Sequence, residues 1–519
     1  MAPGRRSLGS KARCIPVAIA CLCGAALAQP VPRPAIEAAL PRIEAMARDM
    51  VATGGVPGLA IAIVHDDELV YLRGFGQRKV GSPEAVDGDT VFQIASMSKP
   101  LSATVVARLV GKGVLAWDSR IAELDPSFAL HDPYVTAEVT VRDLFNHRSG
   151  LPGSAGNDLE AIGFDRPTVM HRLRLVPPSS SFRAAYAYSN AGLTAGALAA
   201  VRPTGKDWET VAEEQLFTPL GMASTSYRDA VFHGRGNAAA LHVRAEGGRW
   251  SAGLTRDAAP QAPAGSASSS ARDLAVWMRL ILGRGELAGQ KLIDRDALAA
   301  THAPLMYRGR NPVTGATSFY GLGWNVEFGP HGPVWGHAGA FSMGTRTLVS
   351  LLPERRLGIV VLANAFPTGV PEAIADSFFD LVLLDRVTQD YVAPWNALYE
   401  SLFGPAIAAV RAMYASPPRP ATPALPARAY VGRYANAYAG EATVSESGGV
   451  LTLALGPNGA MRFPLRHFDR DLFLYFPSAE MPDVPAALRF AVGPDGRATA
   501  LTAESLDENG LGTLARVTP

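Results

Sequence analysis

One lysine in the chain follows a serine at a spacing that could activate that serine for nucleophilic attack. An unassisted serine hydroxyl is a weak nucleophile at neutral pH and needs a neighbouring base. Of the six lysines, only Lys99 has a serine three positions before it, namely Ser96. Side chains three residues apart on a helix are neighbours, and burial can lower the pKa of a lysine until its amine acts as a base. If Ser96 begins a helix, the N-terminal N–H groups and the helix dipole would also favour developing negative charge there.

An isolated Ser-x-x-Lys pair has a simpler interpretation, in which Ser96 caps a helix and Lys99 faces water. Other catalytic machinery is missing from the sequence: there is no Gly-x-Ser-x-Gly elbow, no His-Glu-x-x-His helix and no phosphate-binding loop. His147 and His171 lack the spacing of metal ligands, and we expect them to be structural. We therefore expect no metal and no organic cofactor.

Four segments resemble the class C β-lactamase and serine-esterase family of penicillin-recognising enzymes. They are residues 94–100, 144–152, 220–225 and 320–324. The first contains the Ser-x-x-Lys pair, and two more family motifs follow in order, Tyr188-Ser189-Asn190 and His337-Ala338-Gly339. The resemblance covers roughly residues 35–400. It implies a serine β-lactamase-related hydrolase that works through an acyl-enzyme intermediate.

The resemblance also implies roles for single residues. The tyrosine of the second motif partners the lysine in proton transfer in this family, which assigns that role to Tyr188, and Asn190 would contact the acyl amide. His337 and Gly339 would line the acyl site from a strand. The N–H of Ala340 would supply one half of an oxyanion hole, and the N–H of the nucleophile the other half.

His337 marks a departure from the β-lactamases, which usually have Lys-Thr-Gly in the third motif. The lysine helps to hold the carboxylate of the antibiotic, and a neutral histidine would do so poorly. Arg346 could supply a substitute charge. Esterases, D-amino-acid peptidases and amide hydrolases of the family often carry histidine. We therefore expect an ester substrate first, and an amide, peptide or β-lactam as the alternative. A third hypothesis is a catalytically inactive penicillin-binding or sensor protein. The presence of Ser96, Lys99 and Tyr188 argues against it.

The hydrophobic pattern predicts an α/β (α+β) fold. Residues 36–51 have the apolar spacing of an amphipathic helix, and the β-rich runs 59–64 and 69–75 flank a short polar turn that indicates a hairpin. A mostly helical pattern fills residues 118–260, and strands return after residue 321. An antiparallel sheet flanked by helices, completed by both ends of this region around an inserted all-helical domain, fits that order.

The last hundred residues have a different texture. Five prolines lie within residues 417–426, which indicates a stiff linker. Beyond them, short apolar runs alternate with turns such as Gly-Pro-Asn-Gly, which predicts a small C-terminal antiparallel β domain. This part resembles the lipocalin-like appendages of some relatives. We therefore predict a hydrolase domain at 29–400, a helical and proline-rich linker at 401–426 and a β domain at 427–519.

Bulk composition limits the partners. The chain has 519 residues and a formal net charge of +1, so it has no basic surplus for neutralising nucleic-acid phosphates. A small-molecule ester, amide or peptide remains the expected partner.

Residues 1–28 have the features of a secretory signal. Arg5, Arg6, Lys11 and Arg13 precede a short apolar run that ends in Ala26-Leu27-Ala28. All three cysteines lie inside this segment, so the mature chain would have no disulfide and no thiol. We expect a periplasmic or secreted protein without a membrane span after cleavage, ahead of a lipoprotein or a twin-arginine substrate.

Overall fold

The central sheet is built by strands from both ends of the predicted hydrolase region. The computed structural model describes Met1, residues 31–478, Met481 and residues 483–517; apart from Met1, the predicted signal peptide lies outside these residues. The strands before residue 400 are β1 (Gly58–His65), β2 (Glu68–Gly76), β3 (Val91–Gln93), β4 (His242–Arg244), β5 (Trp250–Ala252), β6 (Ser268–Ser270), β7 (Glu286–Leu287), β8 (Gln290–Lys291), β9 (Met306–Arg310), β10 (Thr317–Tyr320), β11 (Asn325–Gly329), β12 (Gly332–Phe341), β13 (Thr345–Leu352) and β14 (Leu357–Ala363).

The helices are mostly short, with long ones near the two ends of the hydrolase region. They are α1 (Arg33–Ala52), α2 (Ser98–Gly111), α3 (Ile121–Leu124), α4 (Pro133–Glu138), α5 (Val141–Phe145), α6 (Asn157–Ala161), α7 (Arg166–Arg172), α8 (Asn190–Val201), α9 (Trp208–Ala212), α10 (Thr218–Leu220), α11 (Asp229–His233), α12 (Ala262–Gly265), α13 (Ala271–Leu282), α14 (Arg295–Ala299), α15 (Val370–Leu384) and α16 (Val392–Met413).

The large sheet is antiparallel throughout, in the order β2-β1-β14-β13-β12-β11-β10-β9. The predicted hairpin is confirmed: β1 pairs with β2, and His65 lies opposite Glu68. Strand β1 is buried along its whole length, because α1 and α15 cover one face of the sheet and α13 covers the other. A strand covered on both faces reads as an unbroken apolar run, as residues 59–64 do. The mixed α/β fold predicted from the sequence is confirmed.

The inserted block between β2 and β9 carries most of the helices. Three short two-stranded ladders, β3-β6, β4-β5 and β7-β8, also lie within it. Hydrophobicity alone would not reveal them, because β6 is three serines and β8 is Gln-Lys. Among the described residues, no helix is both long and apolar enough to span a membrane.

The C-terminal domain is a nearly closed antiparallel β barrel. Its strands are β15 (Gly432–Asn436), β16 (Gly440–Ser447), β17 (Val450–Leu455), β18 (Met461–Pro464), β19 (Arg466–Asp469), β20 (Leu472–Tyr475), β21 (Ala486–Val492), β22 (Ala498–Ala503) and β23 (Thr513–Arg516). They follow the order β18-β17-β16-β15-β23-β22-β21-β20-β19. The edge strands β18 and β19 are consecutive in the chain, and the barrel has its own apolar core.

The barrel also contacts the helical block. Tyr438 is 2% exposed and packs with the core of the hydrolase region, and its hydroxyl donates to Asp158 Oδ1 at 2.5 Å. Ile162 of the helical block packs in turn with the barrel core. The two units therefore share apolar surface next to helix α6.

Truncation after residue 416 is expected to leave a folded, less stable hydrolase region. The fragment keeps the whole large sheet but exposes Ile162 and loses the Tyr438 hydrogen bond, so we expect a loss of roughly 3 kcal/mol in the free energy of unfolding. Thermal and urea unfolding of the fragment and of the full chain measure this difference. Tyr438→Phe in the full chain is the control that removes the hydrogen bond alone. A wholly unfolded fragment would show that the barrel completes the main core.

Candidate active site

Ser96 lies in a tight turn where strand β3 passes into helix α2. Residues Ala95–Met97 form one 3₁₀ turn, and Ala95 has a positive φ of 48°, an uncommon conformation for a residue with a side chain. The Ser98 hydroxyl donates to the Ala95 carbonyl at 2.6 Å, which holds the turn in place. The turn leaves Ser96 partly exposed at the N-terminal end of α2, while its neighbours are buried.

Lys99 lies on the first turn of α2 and its side chain is fully buried. Its Nζ is 3.1 Å from Ser96 Oγ, 2.7 Å from Asn190 Oδ1 and 2.8 Å from the carbonyl oxygen of Ala264. Among the described residues, Lys99 forms no ion pair with a carboxylate. Burial without a counter-charge lowers the pKa of Lys99 well below its ordinary value.

Tyr188 and Asn190 are held by the start of helix α8. The Ser189 hydroxyl caps this helix by accepting from the Gly192 N–H at 3.1 Å. The cap fixes the two flanking residues, so Asn190 reaches Lys99, and the Tyr188 ring lies with its centroid 4.5 Å from Lys99 Nζ. The Tyr188 hydroxyl interacts with the Ser96 side chain, yet burial still raises the pKa of Tyr188.

His337 lies on strand β12 and is 4% exposed. Its Nδ1 is 2.7 Å from the Ala338 carbonyl oxygen, which can only accept, so Nδ1 carries the proton and donates. Its Nε2, 3.0 Å from the Tyr320 hydroxyl, then accepts from that hydroxyl. Burial, and next the charge of Lys99, hold the pKa of His337 well below its usual value. The imidazole is therefore neutral, with both nitrogens engaged.

The third motif needs glycine because its strand touches the serine turn. A Cβ on Gly339 would lie 2.1 Å from the carbonyl oxygen of Ile94 and 2.5 Å from Thr347 Oγ1. That close approach brings β12 alongside the turn that holds Ser96. Strand β11 pairs with β12 only along Gly332–Gly336 of β12. Among the described strands, residues 337–341 of β12 therefore pair with β13 alone. Ala340 lies on this half and is partly exposed.

His147 belongs to this cluster, although sequence reasoning set it aside as a structural residue. Its ring centroid lies 4.7 Å from that of Tyr188 and 4.9 Å from that of Tyr320. Its Nδ1 accepts from the Ser189 N–H at 3.1 Å, and its buried Nε2 has no hydrogen-bond partner among the residues that the structure describes. The positive φ of His147, 58°, is a backbone feature that sequence spacing does not reveal.

Arg346 does not reach this cluster. It is paired in register with Ala340, but its side chain points to the opposite face of the sheet, where it binds Glu372 and Tyr399. Its closeness to the third motif in sequence therefore does not place its charge at the site. Arg308 on β9 lies nearer to the site, with its guanidinium 5.8 Å from the Tyr320 ring centroid, and it donates to Asn325.

Comparisons with known proteins place the chain in a family. Residues 43–382 match the family described as Beta-lactamase, and residues 416–512 match a domain of unknown function, DUF3471. An unguisins hydrolase, ungD', from Aspergillus campestris is 26% identical over 403 residues, which cover 73% of this chain and 72% of the relative. The D-alanyl-D-alanine-carboxypeptidase/endopeptidase AmpH of Escherichia coli K12 is 25% identical over 70% of this chain and 94% of its own.

The likeness extends to solved structures. The octameric penicillin-binding protein homologue from Pyrococcus abyssi superposes with a TM-score of 0.56 at 19% identity, covering 90% of this chain and 98% of that chain. At that identity the likeness concerns the fold alone. The family match spans well over half of the sequence, and the chain belongs to the Beta-lactamase family of hydrolases.

Proposed function

We propose that the protein is a serine hydrolase that forms an acyl-enzyme at Ser96, with Lys99 and Tyr188 moving the proton. The observation that carries this proposal is the position of Lys99: a buried amine 3.1 Å from a serine hydroxyl, with no carboxylate partner in the described part of the chain. Burial lowers the pKa of such an amine, so that its neutral form becomes available as the base that a serine nucleophile requires.

The contacts of Lys99 can also be satisfied by its neutral form. An ammonium could donate to all three neighbouring oxygens, whereas a neutral amine has two N–H groups and one lone pair. The N–H groups would donate to Asn190 and to the carbonyl of Ala264, since these two oxygens cannot donate. The lone pair is then left for the proton of the Ser96 hydroxyl.

Tyr188 would carry the proton onward. Its raised pKa keeps the hydroxyl protonated at neutral pH, so it can donate to the leaving group while it receives a proton from the Ser96–Lys99 pair. The N–H groups of Ser96 and Ala340 would stabilise the oxyanion, and the unpaired half of β12 leaves room for an extended acyl group. Asn190 would contact an acyl amide where the substrate has one.

An ester is the substrate class that we propose first. His337 is neutral with both nitrogens engaged, and Arg346 faces the other side of the sheet, so neither supplies a charge for a substrate carboxylate. A carboxylate that enters without a counter-charge loses hydration at a cost, which a short acyl ester does not incur. Peptide or other amide hydrolysis is the second candidate, favoured by the carboxypeptidase/endopeptidase named among the relatives. A secreted or periplasmic location remains part of the proposal.

Turnover of p-nitrophenyl butyrate and of nitrocefin, measured side by side, tests the substrate class. We expect a clearly higher kcat/KM for the ester. His337→Lys should shift the ratio toward nitrocefin by about tenfold, the size of one modest charge-assisted contact. Arg308→Ala is the companion variant: it removes one of the two arginine charges on β9, and an unchanged preference would show that Arg308 does not hold the substrate carboxylate. A wild-type preference for nitrocefin would replace the esterase proposal with a β-lactamase.

A further inference from the structure

A large cavity lies on the face of the sheet that is turned away from Ser96. Its volume is about 750 Å³, and it is enclosed by strands β9 to β13 on one side and by helices α15 and α16 on the other. Ser96, Lys99 and Tyr188 are not among the residues that line it. It approaches the candidate active site only at His337 and Ala338.

Three carboxyl groups line this cavity, and Glu327 among them accepts from Asn311 Nδ2 at 3.3 Å. Glu372 and Asp376 are one turn apart on α15, and Glu327 approaches from β11. Arg346 and Tyr399 both bind Glu372 at Oε1, while its buried Oε2 has no hydrogen-bond partner within the described part of the chain. Among the described residues, Asp376 accepts one side-chain hydrogen bond, from Trp395 Nε1 at 2.8 Å. A buried carboxylate oxygen without a donor is costly unless a ligand supplies one.

Burial and the neighbouring carboxyl groups oppose the ionisation of Asp376. Burial, together with Glu372, Glu327 and Asp380, raises the pKa of Asp376 to about 7. Basic side chains also line the cavity: Arg346 pairs with Glu372, His331 hydrogen-bonds to Asp380, and the exposed Arg308 and Arg310 lie on the edge strand β9. A positive group placed beside Asp376 would restore its ionised form.

The rest of the lining is apolar and aromatic. Trp395 and Tyr399 on α16 stack with their ring centroids 5.9 Å apart, and Leu398 lies between them in sequence. Phe379 adds a wall from α15. A pocket of this size with a few convergent polar groups is typical of a small-molecule site.

We propose that this cavity binds an organic ammonium ion with a compact apolar body. The ammonium lies between Asp376 and the free Oε2 of Glu372, and the body packs on Trp395 and Leu398. Two sources share this chemistry, a free amine or the basic end of a substrate. Only the second source rests on the proposed hydrolase function.

Calorimetric titration of the full-length Ser96→Ala protein with phenethylamine tests the site apart from catalysis. We expect saturable binding, at least tenfold tighter than for the neutral isostere phenethyl alcohol. Asp376→Asn, which can still accept from Trp395, should weaken phenethylamine at least tenfold. Asp385→Asn, at the exposed end of α15, is the control and should change nothing.

Dependence on pH gives a readout that needs no variant. Because the amine stays protonated between pH 6 and 8 and Asp376 must ionise to hold it, affinity should rise with pH over this range and binding at pH 6 should release a proton. If the cavity holds the basic end of the substrate, phenethylamine should inhibit the wild-type esterase competitively. If the cavity holds a free amine, the inhibition should be non-competitive. Equal binding of the amine and the alcohol, or unchanged binding by Asp376→Asn, would overturn the proposal.

Discussion

Ser96→Ala is expected to abolish acyl-enzyme formation and to lower kcat/KM for p-nitrophenyl butyrate by at least about 10³-fold. Without the hydroxyl only binding and oxyanion stabilisation remain, and these supply a small part of the rate of a serine hydrolase. The fold should be unaffected, since Ser96 is partly exposed and the turn is held by Ser98. Steady-state kinetics and thermal unfolding of the same preparation measure both effects.

Ser98→Ala is the matched control for this change. It removes a buried hydroxyl two residues away, which bonds to the Ala95 carbonyl and accepts from the Ala267 N–H. We expect a loss of about 1 kcal/mol in stability, with acylation retained. Full turnover by Ser96→Ala would show that the nucleophile is another residue.

Lys99→Ala is expected to lower kcat by roughly 10² or more, because general-base steps commonly contribute that much. Tyr188→Phe should have an effect of the same order. Lys99→Arg should not rescue the activity, since a guanidinium stays charged and has no lone pair to accept the proton. Lys112→Ala, at the solvent-facing end of the same helix, should leave turnover unchanged.

The pH profile of the wild-type protein carries the same prediction. The neutral amine is the active form, so activity should fall as the pH drops through the lowered pKa of Lys99. Half-maximal kcat/KM should therefore lie well below the ordinary lysine pKa of about 10.4. A rising limb near that ordinary value would mean that Lys99 is solvated and is not the base.

Much of the fold followed from local patterns. The hairpin β1-β2 and the long helix α1 were predictable because their apolar spacing matches strand and helix periods over many residues. The close grouping of Ser96, Lys99 and Asn190 was implied by the family resemblance of the two motifs that contain them. Helix α16 runs across residue 400, between the predicted hydrolase domain and linker, and those domain boundaries remain predictions.

The sequence did not predict features that depend on which face of the sheet a side chain occupies or on the order of the strands. Arg346 was a candidate charge because it lies near the third motif in sequence, yet alternation along β13 turns it away from Ser96. Arg308 approaches the site from β9, which is separated from β12 by β11 and β10 in the sheet. Distance along the sequence does not reveal this proximity. His147 enters through a left-handed backbone turn. The cavity proposed to bind an amine is lined by residues from β11, α15 and α16, which share no sequence motif.

Mass analysis of the acyl-enzyme tests the central claim most directly. The wild-type protein is mixed with p-nitrophenyl butyrate and quenched in acid within the first turnovers. It is then digested, and the masses of its peptides are measured. We expect one acyl group on the peptide that contains Ser96, a stoichiometric burst of p-nitrophenolate, and neither signal in Ser96→Ala. An acyl group on another residue, or steady turnover without any acylated peptide at Ser96, would contradict the mechanism.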